Sequence, residues 1–220
     1  MSPASCSRRS GSTLRIFTSS ESERWVVLDV ETTGLDARRD VLLAIAAVAL
    51  HRDGDRLRLL PADSFDVRLA HRATAIDRGN ILLHGIGVGE QRAGAEPAEA
   101  LRDFQAWAAG APRLGFHVSF DRQVIERAQR SVPGSRASAA AWIDIAVLAR
   151  AVGPRVQGRA LDDWLDHYGI PCLRRHDAAA DTLATAELLL RLWPLLRKSG
   201  ARDAAALSRL ERDAAWLGVR

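Results

Sequence analysis

Cysteine is scarce in this chain. Cys6 and Cys172 are the only two, and two isolated thiols exclude a disulfide framework and a zinc knuckle. No apolar run reaches the roughly 18 residues that a membrane-crossing helix needs. No apolar stretch follows Arg8 and Arg9, so no secretory signal and no membrane partner are expected, and the expected compartment is the cytoplasm. Lysine is nearly missing: Lys198 stands alone among 31 basic residues. Genome composition produces such a skew, so it carries little functional weight. No segment repeats. What remains is the composition of a soluble globular protein, 47% hydrophobic and 26% charged, and 220 residues suit one domain with a substantial core. The net charge of +4 agrees with an anionic ligand such as nucleic acid without demonstrating one.

Residues 1–22 are Ser, Arg, Gly and Thr with little apolar periodicity, and read as a flexible tail. Residues 24–30 and 41–50 (VLLAIAAVAL) are almost continuously apolar and read as strands. Asp53-Gly54-Asp55 is a hairpin signal, which places a third strand within 56–69. Residues 97–109 then open with Pro97 and set Ala100, Leu101, Phe104, Trp107 and Ala108 at helical spacing. A short strand, RLGFH at 113–117, leads into a helix beginning near Ser119, a good N-cap residue. Further helices are expected at 143–152, 160–168, 178–199 and 202–217. A three-strand meander, alternating helix and strand, then helices imply a mixed sheet flanked by helices in one α/β domain.

Into this frame the stretch WVVLDVETTGLD, at 25–36, sets two acids at the end of an apolar run. Asp29 and Glu31 are two apart, so on a strand both leave the same face. Side by side they repel, and each raises the other's pKa unless a cation meets them. A divalent metal does so; a strand end open to solvent accounts for the pair as well. Asp121, in GFHVSFDRQV, falls in the first turn of a helix, where an acid complements the helix dipole whether or not it has another task. In RRHDAAADTLATAELLL, Asp177 makes a sound N-cap, which leaves His176 just ahead of a helix and Asp181 one turn inside it. Each acid thus sits at a strand end or a helix start. All four offer hard carboxylate oxygens, which favour magnesium or manganese over zinc. Imidazole, with an ordinary pKa of about 6.5, suits proton transfer at neutral pH.

Taken in order, DVETTG, HVSFD and HDAAAD resemble the motifs of the DnaQ-like 3′–5′ exonucleases of the DEDDh type, relatives of the proofreading epsilon subunit of bacterial DNA polymerase III and of RNase T. The resemblance runs from about 24 to 192 and takes in HGI at 84–86, WIDIAVLAR at 142–150 and LDDWLDHYGI at 161–170. It implies a ribonuclease H-like fold, a mixed five-stranded sheet of antiparallel meander plus parallel strands flanked by helices. The organisation expected from it is a tail at 1–22, an exonuclease domain at 23–195 and a helical extension at 196–220 packed on that domain. It implies that Asp29, Glu31, Asp121 and Asp181 bind two divalent cations, Mg2+ or Mn2+, with His176 as general base. The implied reaction is hydrolysis of phosphodiester bonds from the 3′ end of single-stranded nucleic acid, DNA favoured over RNA, with release of 5′ mononucleotides. Substrate contacts are expected from Thr32, Thr33, Gly34, Leu35, His117 and Phe120. In one place the chain departs from the pattern: relatives read His-Asn ahead of Ala-x-Phe-Asp, and here Phe116 and His117 take those positions. The alternative is a catalytically inactive nucleic-acid-binding module on the same scaffold, which loss of any of the five residues would favour; none is lost. No clamp-binding peptide is evident beyond about 195, so a polymerase partner is not indicated, and nothing bears on oligomeric state.

Other motifs carry less. HGIGVGE at 84–90 is G-x-G-x-G rather than G-x-G-x-x-G, without a partner acid, so no nucleotide cofactor is expected. Cys172 and His176 are four apart but lack further zinc ligands. RHD at 175–177 suggests a His-Asp phosphohydrolase, yet that class is helical and needs more histidines, whereas Asp29 follows a strand. Asp144 is expected to cap a helix, Asp162 and Asp163 to start one, and Trp107, Trp142, Trp164 and Trp193 to lie in the core.

Overall fold

The computed structural model describes residues 22–72, 79, 81–82, 85–135 and 138–218. The expected tail, save Ser22, and His84 of the HGI stretch lie outside the described residues. Three strands come first: β1 (Glu23–Thr32), β2 (Leu42–Asp53) and β3 (Arg56–Arg68). They pair antiparallel in sequence order, and β2 and β3 meet across a two-residue turn in which Gly54 takes φ 56°, a left-handed backbone open to glycine. The helices α1 (Val88–Ala93) and α2 (Pro97–Ala108) follow. Next come β4 (Arg113–Gly115), α3 (Ser119–Arg130), β5 (Trp142–Asp144), α4 (Ile145–Val152), α5 (Leu161–Tyr168), α6 (Ala178–Lys198) and α7 (Ala204–Trp216). Both β4 and β5 add in parallel, giving the sheet order β3-β2-β1-β4-β5. No helix among the described residues is long and apolar enough to cross a membrane.

The apolar runs of β1 and β2 follow from burial on both faces. Successive residues of β1 feed two separate cores. Trp25 and Val27 join Val48, Leu50 and the inward faces of α4, α5, α6 and α7. Val26, Leu28 and Val30 join Ile45, Ala47 and the inward faces of α2 and α3. By the period of two, Asp29 and Glu31 continue the Trp25–Val27 row and therefore face the α6 layer.

Two expectations need correction. Residues 142–144 form β5, whereas the apolar spacing had placed a helix from 143; three residues are too few to show a strand period. Ser119 opens α3 without capping it, because Val118 is the cap residue and no side chain closes that end. The last long helix, α6, continues to Lys198. Other positions behave as read. Asp144 caps α4 by accepting from the Ala146 amide at 2.8 Å, and Asp177 caps α6 through Ala180 at 3.1 Å. Asp162 and Asp163 lie in the first turn of α5. Trp164 and Trp193 are buried, while Trp107 and Trp142 pack partly buried against the second core.

Candidate active site

Three local features bring the acids together. β4 lies parallel to β1, so the chain leaving β4 enters α3 beside the end of β1 that carries Asp29 and Glu31. Asp121, in the first turn of α3, is buried there and accepts hydrogen bonds from its own amide and from that of Val30. From the other side, α6 is seated by Thr182, whose hydroxyl donates to the Ala46 carbonyl at 3.2 Å. Ala46 is the cross-strand partner of Asp29, so this bond sets the first turn of α6, with Asp181, against the strand acids.

His176 enters by an unusual backbone. Its φ is 61°, a left-handed conformation that costs a non-glycine residue about 1–2 kcal/mol. Two neighbours hold it there: its amide donates to Asp181 Oδ2 at 3.1 Å, and Asp177 caps the helix directly behind it.

These elements enclose an open cleft of about 430 Å3. All five candidate catalytic residues line it, together with Thr32, Gly34, Leu35, His117 and Phe120 of the expected substrate set. Leu35 is 87% exposed at the mouth, an apolar surface open to solvent. Thr33 is not among the lining residues. Its hydroxyl instead donates to Asp40 Oδ1 at 2.9 Å and accepts from the Val41 amide at 2.9 Å. Asp40 Oδ2 also accepts from the Asp36 amide at 2.7 Å, so one carboxylate braces the whole Thr32–Leu35 loop. Gly34 is required by that brace: a Cβ there would stand 2.6 Å from Asp40 Oδ2. Across the cleft, the His117 amide donates to Asp144 Oδ1 at 3.1 Å and its Nε2 donates to the Arg159 carbonyl at 3.1 Å. His117 therefore ties β4 to the loop before α5, and Phe116 and Leu161 add apolar lining.

Burial dominates the electrostatics, and repulsion among the acids adds to it at Asp29 and Glu31. Burial, then Asp121, Glu31 and Asp181, hold Asp29 well above the ordinary carboxylate range, because its surroundings are dense although its tip faces the opening. Burial, then Asp181, Asp177 and Asp121, push Glu31 up to about 8. Burial pushes Asp121 up to about 7 against its backbone hydrogen bonds. A partial offset at Asp29 and Glu31 comes from Arg175, whose guanidinium contacts both Asp181 and Asp162. Burial opposes charge on Arg175, but its bonds to Asp162 and Asp181 outweigh this and raise its pKa. Neither Arg175 nor Asp40 was singled out from sequence; their roles rest on contacts 13 and 7 residues away in the chain.

The donor set fits divalent cations in its chemistry: four carboxylates share one cleft, burial pushes Asp29, Glu31 and Asp121 above the ordinary range, and such a set gains from a hard cation. Among the described residues no three acidic, histidine or cysteine side chains stand at ligand spacing. Asp181 is already engaged on both oxygens. Its Oδ1 meets Arg175 and accepts from the Cys172 thiol at 3.4 Å, and its Oδ2 serves the His176 amide. Burial, then Asp181, raises the Cys172 thiol pKa, which keeps it a donor to that oxygen.

The mixed five-stranded sheet flanked by helices is a ribonuclease H-like fold, with the acids gathered at the end of its central strand. Residues 26–189 match the family model RNase_T, described as exonuclease, and the chain belongs to that family, within the DnaQ-like superfamily of 3′–5′ exonucleases. A DNA polymerase III subunit epsilon-like protein of Rhodobacter capsulatus is 31% identical over 179 residues, 80% of this chain and 24% of that protein. The PolC-type DNA polymerase III of Bacillus subtilis is 28% identical over 172 residues, 78% of this chain and 12% of the polymerase. The chain thus spans a quarter or less of these relatives. Among solved structures, E. coli exonuclease I in complex with a dT13 oligonucleotide superposes with a TM-score of 0.66 at 19% identity, covering 80% of this chain and 42% of that one. Cell-death related nuclease 4 gives 0.62 at 17% identity, covering 82% and 65%.

Proposed function

We propose that this chain is a metal-dependent 3′–5′ exonuclease acting on single-stranded nucleic acid, DNA in preference to RNA, and releasing 5′ mononucleotides. The observation that carries the reading is the arrival of Asp29, Glu31, Asp121 and Asp181 from three elements in one cleft, with His176 at its edge. Two divalent cations, magnesium or manganese, held by these four acids would activate the attacking water and stabilise charge on the departing 3′ oxygen. His176, its position set by the amide bond to Asp181, would serve as the base that accepts a proton from the attacking water. The backbone of Thr32 and Gly34 flanks the terminal nucleotide, Leu35 stacks on its base, and Phe116 and Phe120 provide apolar surface on the opposite wall. Single-stranded DNA bound to exonuclease I, the neighbour of shared fold, supports the substrate class.

The test is digestion of matched single-stranded DNA, RNA and mismatched duplex oligonucleotides labelled at either end. Stepwise loss from the 3′ end, stopped by EDTA and restored by Mg2+ or Mn2+, is expected. Activity that survives excess chelator, or early loss of a 5′ label, refutes the assignment.

A further inference from the structure

The contacts of Arg175 go beyond what the four acids need for hydrolysis. Its side chain is 27% exposed, deep enough for its charge to matter at the cluster, and it contacts the 9%-exposed carboxylate of Asp181. The Asp181 oxygen it meets is one a divalent cation would need. A cation takes such an oxygen at about 2.0–2.6 Å, so it would stand within about 5 Å of the guanidinium, and like charges so close repel strongly in a partly buried site. The other side of the guanidinium is held separately. Nε contacts Asp162 Oδ1 and Nη2 reaches Asp162 Oδ2 at 3.4 Å, on the half-exposed first turn of α5. Arg175 therefore has two carboxylate partners, one inside the acid cluster and one outside it, and can let go of the first while keeping the second. A guanidinium also matches phosphate oxygens in two-point geometry, and Arg175 lines the same cleft as the candidate nucleotide contacts.

Resting on the reading of the four acids as a two-cation site, we infer that Arg175 is a positioning residue that competes with a divalent cation for Asp181. The substrate phosphate draws its guanidinium away, so that cation and nucleotide bind cooperatively. Before substrate arrives, the arginine supplies positive charge to the cluster and weakens cation binding. Once a phosphate occupies the cleft, Asp162 anchors the arginine against that phosphate and Asp181 is freed. Because linkage is reciprocal, cations tighten nucleotide binding by the same factor.

Calorimetric titration of Mn2+ into the full chain, with and without thymidine 5′-monophosphate, tests this. Arg175→Gln should bind Mn2+ about tenfold more tightly than the wild type without nucleotide, the worth of roughly one charge-assisted bond. It should also gain less from the nucleotide than the wild type does. Its cation-free melting temperature should fall, because the acids lose their counter-charge. A merely structural arginine would lower both stability and Mn2+ affinity. Asp162→Asn leaves the cluster intact and removes the outer anchor, so it should weaken Mn2+ binding; it also keeps the inference testable if Arg175→Gln fails to fold. Arg175→Gln with unchanged or weaker Mn2+ affinity, or equal nucleotide enhancement in both proteins, overturns the inference. Failure of the wild type to bind Mn2+ at all would instead overturn the two-cation reading beneath it.

Discussion

Raising the pH from 5 to 8 in the presence of EDTA should destabilise this protein. Glu31 has an ordinary pKa of 4.5 and is pushed to about 8 in the fold, so between those values the folded chain holds a proton that the unfolded chain has released. Stability then falls as pH rises, beginning above the unfolded value and ending near the folded one. At about 1.4 kcal/mol per pH unit, the span corresponds to on the order of 4 kcal/mol. Asp121, pushed to about 7, moves in the same direction. The two are not added, because part of the same crowding acts on both. Against a total stability of about 5–15 kcal/mol this is large, and at roughly 2–4 °C per kcal/mol for a chain of this size it amounts to a melting-temperature drop of about ten degrees. Asp63, held down to about 2 chiefly by its bond to Arg24, does not interfere: its contribution is complete above the ordinary carboxylate range and is lost only as pH falls toward 2. Thermal unfolding at several pH values, with EDTA and then with Mn2+, is the assay. Cation at a hundred times its Kd should restore about 2.7 kcal/mol at pH 8. Glu31→Gln should make the chelated profile less steep, leaving the slope that Asp121 contributes. A cation-free melting temperature that stays level or climbs from pH 5 to 8 would refute the account of the cluster as buried acids held above their ordinary range.

Asp29→Ala should abolish measurable nuclease activity yet leave the cation-free fold as stable as the wild type or more so, since it removes a crowded acid; turnover above a few per cent of wild type on a labelled oligonucleotide would rule out its role. For His176→Ala, a loss of about 10²–10⁴-fold in kcat is expected, with Mn2+ affinity by calorimetry little changed; a matching loss of affinity would make it a ligand instead. Gly34→Ala forces a methyl against Asp40 and should cost about 1–3 kcal/mol, read as a lower melting temperature, and should reduce kcat/KM through the displaced loop. Unchanged kcat/KM would show that the Thr32–Leu35 loop does not position substrate.

Much of this site was legible from residue order, for a physical reason. Asp29 and Glu31 interrupt an apolar run, and Asp181 and His176 sit at fixed offsets from a recognisable cap, so local rules place them. Strands β1, β2 and β3 were legible in the same way, through long apolar runs and one turn signal. What escaped depends on contacts between distant parts of the chain. Asp40 looks like any loop aspartate until its carboxylate is seen bridging Thr33 and Asp36. Thr33 is expected from the resemblance to contact substrate, but neighbours on an extended chain point apart, and its hydroxyl turns to the brace. Arg175 gains its meaning from Asp162, a helix away. The strand β5 is too short for any period, and its pairing with β4 decides it.

The alternation along β1 has a consequence for how this domain can change over time. Odd-numbered residues from Trp25 to Glu31 serve the α6 side and even-numbered ones from Val26 to Val30 serve the other. Chemistry and structural support are thus written in the same parity. A single-residue insertion or deletion before Asp29 would swap the two sets, carrying the acids under α2 and α3 and the even-numbered core residues toward α6. Such a change cannot dismantle the acid cluster quietly while leaving a sound fold behind. Lineages that lose activity should therefore do so by point substitution of the acids, on a strand whose length and phase stay fixed.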